Sequence, residues 1–152
     1  MEFQRINRSD PEKVFIVVKN SWSTASIANG YACQWDFTTD VDGVGVTQPT
    51  AITTNQGFAA AGIAAETIAA GAYGLLQVYG YHAAVHFRAG TGLDDGALGQ
   101  PVAMPAAGGV WSLETYLSST VTTKTVVFPC AFLLSAYSSW TSSTVKAFIK
   151  CL

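Results

Sequence analysis

Short apolar or alternating runs, each cut off by Gly, Pro, Asn or Asp, recur through this chain, and that punctuation constrains the fold more than any other feature. The runs begin with Val14-Phe15-Ile16-Val17-Val18, which reads as a buried strand. Gly30-Tyr31-Ala32-Cys33-Gln34-Trp35-Asp36-Phe37 and Val44-Gly45-Val46 follow, separated by the turn sequence Asp40-Val41-Asp42-Gly43. Leu75-Leu76-Gln77-Val78-Tyr79-Gly80-Tyr81 and Ala83-Ala84-Val85-His86-Phe87 read as two further strands, with Gly80 where a bulge or bend fits. Residues 120–128 are dense in Thr and Val, which lose rotamer freedom in a helix and pack well on a pleated surface.

At the C-terminus Val145, Ala147, Ile149 and Cys151 fall on one face of an extended chain and Lys146 and Lys150 on the other, so the lysines mark the outer side. The helix competitor is residues 59–70, where Ala favours helix. Gly62 interrupts that tract and Gly71 and Gly74 stop it, so strand plus turn is the better reading. No repeat with a period of 20 to 50 residues is visible, which argues against solenoids and propellers. The expected fold is all-β, an antiparallel β-sandwich or β-barrel. Residues 1–13 have neither a two-residue nor a 3.6-residue period and are expected to form an extended N-terminal arm, with residues 14–152 as a single β-rich domain.

Charge narrows the partners. The 152 residues carry 8 Lys+Arg against 10 Asp+Glu, a formal charge of −2, which offers nucleic acid or an anionic membrane no electrostatic attraction. Only 12% of residues are charged while 49% are hydrophobic, so the polar surface must come from uncharged groups, supplied by 16 Thr and 12 Ser. A mean hydropathy of +0.28 is high for a free monomer and implies apolar surface buried against other subunits. Residues 58–76 are mostly Ala and Gly around Glu66, too weakly hydrophobic to insert in a membrane. The N-terminus lacks the apolar core of a signal peptide, and three cysteines without C-x-x-C spacing read as reduced, buried thiols, so synthesis in a reducing cytoplasm is expected.

Each chemical motif has a plainer account. His82 and His86 are four apart, a spacing that turns two ligands the same way on a helix or a strand, yet no third ligand stands at a matching distance in sequence. No G-x-S-x-G elbow is present for nucleophilic catalysis. Asp40-Val41-Asp42-Gly43 begins like a calcium loop but has Ala51 where the bidentate Glu belongs, so an Asp-Gly turn accounts for it. Residues 90–96 resemble a phosphate cradle in their glycines only, since Asp94 and Asp95 would repel phosphate. No catalytic residue, cofactor site or metal site is assigned, and the chain is expected not to be an enzyme. Trp22, Trp35, Trp111 and Trp140 could line a sugar groove, although core and interface packing is the commoner use of such side chains.

The Val/Ile strand ending in Lys19-Asn20, the Gln34-Trp35-Asp36 strand, Asp42-Gly43 before Val44-Gly45-Val46, and above all Ile68-Ala69-Ala70-Gly71-Ala72-Tyr73-Gly74-Leu75-Leu76-Gln77-Val78-Tyr79-Gly80 resemble small virion proteins of tailed bacteriophages, the capsid decoration or cement proteins. The resemblance extends from Val14 to Gly99. It implies a β-rich domain on the outer surface of an icosahedral head, commonly a symmetric oligomer, here expected as a trimer, that contacts the major capsid protein and resists internal DNA pressure. It brings no catalytic residues. Contacts to a neighbouring capsid or decoration subunit are expected from Phe3, Arg5, Ile6 and Arg8 of the charged arm. The alternative function is a carbohydrate- or host-surface-binding module displayed on the virion.

Overall fold

The computed structural model describes residues 12–40, 43–49, 59–88, 96–105, 112–115, 129–137 and 143–151. Phe3, Arg5, Ile6 and Arg8, the expected strand at residues 120–128, and Asp94, Asp95, Trp111 and Trp140 lie outside them. The described residues contain nine strands and no helix: β1 Val14–Asn20, β2 Ala32–Trp35, β3 Gly45–Thr47, β4 Ala60–Ala64, β5 Tyr73–Arg88, β6 Pro101–Ala103, β7 Leu113–Thr115, β8 Ala131–Leu133 and β9 Ser143–Lys150. The all-β expectation therefore holds. Residues 59–70 form strand plus turn, as the glycines require.

The strand order is β1-β3-β2-β4-β5-β7-β6-β8-β9, and two further pairings, β1 with β5 and β5 with β9, close it into two five-stranded rings that share β5. The 16-residue β5 replaces the two strands read from the sequence. It survives its interruptions because each is a bulge or a close approach. Gly80 has φ +100, and a Cβ there would collide with the Glu12 carbonyl, just before the register shift between Val14 and Phe15 of β1. A second shift between His82 and Val85 inserts one extra residue opposite β9.

The two rings repeat one connectivity. In each, the first and third strands run parallel while the other neighbours run antiparallel. The bridge Ile27↔Ile68 recurs as Gly96↔Tyr137, a shift of 69 residues on both sides. The same shift carries Ala32↔Ile63 onto Pro101↔Phe132, Cys33↔Gly62 onto Val102↔Ala131, and Lys19↔Gly45 onto Arg88↔Glu114. It also carries the bond from Gly30 N to Ala64 O (2.8 Å) onto that from Gly99 N to Leu133 O (2.8 Å). Gly30 and Gly99 both adopt positive φ, +84° and +80°, where a side chain would be strained. The duplication has a period of 69 residues, longer than the roughly 20 to 50 of solenoids and propellers.

Each ring holds a core. Val18, Ile27, Cys33, Val46, Ala61, Ala64, Ile68 and Leu76 fill the first. Phe87, Val102, Met104, Leu113, Leu133, Val145, Ala147 and Ile149 fill the second, joined by Ala32 and Ile63 from the first ring's strands. Ala32 and Cys33, adjacent on β2, thus point into different cores, as do Ile63 and Ala64 on β4, which is the alternation a strand imposes. The rings are consequently packed against each other through β2 and β4. Truncating Ile63 or Phe87 to Ala would leave a cavity and cost about 2–5 kcal/mol. On β9 the predicted faces are observed, with Val145, Ala147 and Ile149 buried and Lys146 and Lys150 exposed.

β1 differs from expectation. Of Val14-Phe15-Ile16-Val17-Val18 only Val18 is buried; Val14, Phe15 and Val17 are exposed and Ile16 is half-buried. An unbroken apolar run reports that a strand forms there, but here only one of its faces meets a core.

Candidate functional site

The outer face formed by β1, β5 and the approach to β3 is apolar. Five of the nine large apolar side chains that are exposed among the described residues lie on it: Phe15, Val17, Val44, Tyr73 and Leu75. The register makes the group continuous, because Val17 stands opposite Leu75 and Lys19 opposite Tyr73. Val17 and Tyr73 are 64% and 66% exposed, whereas Val18 beside Val17 is fully buried.

The same strand presents an edge. Lys19 N–H reaches Val44 O (2.7 Å), and β3 pairs with β1 only at Lys19 and Asn20. Phe15 and Val17 turn their backbone groups to the same side as Lys19, since residues two apart on a strand do so, and no described strand runs beside them there. Exposed apolar side chains beside an open strand edge are the usual ingredients of protein–protein pairing.

Two loops, the one leaving β1 and the one leaving β2, flank β3. Asn20, fully buried, accepts the Trp22 amide on Oδ1 (2.9 Å) and donates from Nδ2 to the carbonyls of Ala25 (3.1 Å) and Ile68 (2.9 Å). On the other side Asp36 Oδ1 accepts the amides of Thr38 (3.3 Å) and Thr39 (3.1 Å) and the Thr38 hydroxyl (2.9 Å), while Oδ2 accepts the Thr39 hydroxyl. Burial alone would raise the Asp36 pKa, but these hydrogen bonds outweigh it and hold the carboxyl below its ordinary value. The turn expected at Asp40-Val41-Asp42-Gly43 shows a backbone bond from Gly43 N to Asp40 O (3.3 Å), with Val41 and Asp42 outside the described residues, whereas the Asp36 turn was not singled out. An Asp followed two and three residues later by Thr is the signal that marks it.

The two histidines are not brought together. Because of the bulge between His82 and Val85, His82 pairs with Ala147 on the core side and His86 with the exposed Thr144, so they point to opposite faces despite their spacing. His82 is buried rather than half-exposed, its Nδ1 accepting the Ala84 amide (3.2 Å), and burial lowers its pKa. The His86 ring meets Tyr31 edge-on at 4.7 Å. No group of three or more His, Cys, Asp or Glu that could hold a metal ion occurs among the described residues. Cys33 and Cys130 are buried free thiols and Cys151 is half-buried. Trp22 and Trp35 are both half-buried.

No helix among the described residues is long and apolar enough to cross a membrane. No family model matches the chain, and no curated protein matches it. Among solved structures the chain is similar to the N-terminal base of the head fiber protein gp8.5 of bacteriophage phi29. The TM-score is 0.48 and the identity 10%, over 92% of this chain and 96% of that one.

Proposed function

We propose that this protein is a structural component of a tailed-phage virion that binds the outer surface of the capsid and stabilises the lattice of major capsid subunits. The observation that carries the reading is the apolar face of Phe15, Val17, Val44, Tyr73 and Leu75, together with the edge of β1 beside which no described strand runs. The sequence resemblance to decoration proteins supplies the identity of the partner. Its role is that of a clamp: it binds an intact lattice better than a broken one and stabilises the lattice by that difference, with no chemical step.

Magnitudes support a symmetric oligomer, and the resemblance to decoration proteins favours a trimer. The five side chains expose on the order of 500 Å² of apolar surface, given side-chain areas of about 150–250 Å² for the aromatics and somewhat less for Val and Leu. At about 25 cal/mol per Å² this is a gross gain of roughly 12 kcal/mol, most of which association entropy and side-chain ordering can offset. One protomer would therefore hold weakly, and linking several into one particle would raise the overall grip through effective concentration.

The test mixes purified protein with capsids stripped of it, pellets them, counts bound copies and follows the capsid melting temperature. Saturation at a copy number commensurate with the lattice, with a raised melting temperature, is expected. Absence of binding, or binding that leaves capsid stability unchanged, overturns the proposal.

A further inference from the structure

The order β1-β3-β2 puts the loop after β1 and the loop after β2 on either side of β3. Each loop is wrapped around one buried polar side chain, Asn20 in the first and Asp36 in the second, so both are held before any ligand arrives. Between them lies a cavity of about 390 Å³ whose walls include Trp22, Ser23, Thr24 and Thr38, with Thr47 and Gln48 at the end of β3. It adjoins a second cavity of about 550 Å³, with which it shares Ser21, Ser23 and Thr39, and which continues to Lys19, Asp40 and Tyr73.

We propose that this double groove binds a neutral oligosaccharide, with a sugar ring laid against Trp22 and its hydroxyls bonded to the Ser and Thr side chains and Gln48. The lining supports this chemistry. One indole and the threonine methyls offer an apolar surface to the C–H face of a sugar ring, while hydroxyls and an amide, each able to donate and accept, suit a ligand that is itself all hydroxyls. Asp36 and Asp40 outnumber Lys19 and so disfavour an anionic ligand, while the polar lining of the second cavity disfavours a wholly apolar one. Most of the acceptor capacity of Asp36 is already used by Thr38 and Thr39, so its part is to shape the loop. The volumes fall within the roughly 300–1,000 Å³ of small-ligand sites, room for more than one sugar ring. Loops fixed in advance lower the ordering cost that weakens binding to mobile ones. The groove shares Val44 and Tyr73 with the apolar face, so the activity is measured on the isolated protein, where no capsid covers either.

The experiment titrates the purified protein with maltotriose, cellotriose and chitotriose, with sialyllactose as an anionic comparator, by saturation-transfer NMR and tryptophan fluorescence. At least one neutral trisaccharide is expected to bind with Kd between about 10 μM and 1 mM. Trp22→Ala should weaken it about tenfold or more, whereas Trp35→Ala, outside the groove lining, should leave it unchanged. Thr24→Arg, an exposed position where a long side chain would fill the groove, should abolish binding without changing the melting temperature, which separates the site from a folding defect. No binding of any neutral trisaccharide at about 10 mM, preference for sialyllactose, or binding that survives Thr24→Arg would overturn the proposal.

Discussion

Val17 of β1 stands directly opposite Leu75 of β5, and both side chains face solvent. A cross-strand apolar pair is ordinarily half of a core, whereas here it is the centre of an uncovered surface. Val17→Asp should therefore change the stability of the isolated protein by no more than about 0.5–1 kcal/mol, as surface substitutions do. The same change should reduce capsid occupancy at least about tenfold, through an unpaired charge buried on docking. Urea melts of the free protein and pelleting with stripped capsids measure the two effects separately.

Gly80 should not tolerate a side chain. Its φ of +100 and the nearness of the Glu12 carbonyl mean that Gly80→Ala combines backbone strain with a collision against main chain that cannot rotate away. A loss of about 2 kcal/mol or more is expected, read from the urea midpoint at constant m-value.

Asp36 should contribute to acid sensitivity. Its carboxyl has a lower pKa folded than unfolded, so the stabilisation is fully present above the ordinary carboxylate value of about 3.9 and is lost as pH falls through the lower folded value. The stability gap between wild type and Asp36→Asn, from melts at pH 6 and pH 2.5, should narrow in acid. A gap that stays constant would show that the hydrogen-bonded turn does not depend on the charge.

His82 acts in the same direction at a higher pH. Burial, assisted by the charge of Lys13, lowers its pKa in the folded state, so the unfolded chain binds the proton more readily. Stability is complete above about pH 6.5 and declines as pH drops from there towards the folded value. His82→Gln should flatten the stability profile between pH 7 and 5. Because burial also lowers the pKa of His86, some of the slope should remain.

Thiol reactivity should be graded by position. Burial pushes the Cys33 thiol up, and contact with the Cys151 thiol together with burial pushes Cys130 up, so neither supplies thiolate near neutral pH. Half-buried Cys151 should react first with Ellman's reagent, and the other two only when denaturant opens the rings. Mass spectrometry of the partly labelled protein identifies the site.

How far the sequence was readable varied with the physics of each element. Val145, Ala147 and Ile149 against Lys146 and Lys150 made β9 plain, because one face of that strand meets a core and the other meets water. Gly62, Gly71 and Gly74 were enough to set strand above helix for the alanine tract. Val14 to Val17 misled, since hydropathy marks what a side chain prefers and cannot tell a buried face from an exposed one. Gly80 was legible as a bulge or bend, but the polar His82 looked like a break between two strands, where a second bulge lets one strand run through. The duplication escaped notice because what is kept between the halves is backbone pairing, with little beyond the Ala28-x-Gly30 and Ala97-x-Gly99 turns to betray it. The groove was legible only as its parts, Trp22 among the tryptophans and an excess of Ser and Thr. Its assembly depends on Asn20 and Asp36, whose bonds are made across turns.

The sharing of β5 gives the chain a direction. By the time Arg88 has been synthesised, every strand of the first ring exists, whereas the second must wait for Lys150 and then close onto a strand already in place. The earlier half can thus serve as the template on which the later half is laid down, and the later half alone, lacking β5, would have two strands with no partner between them.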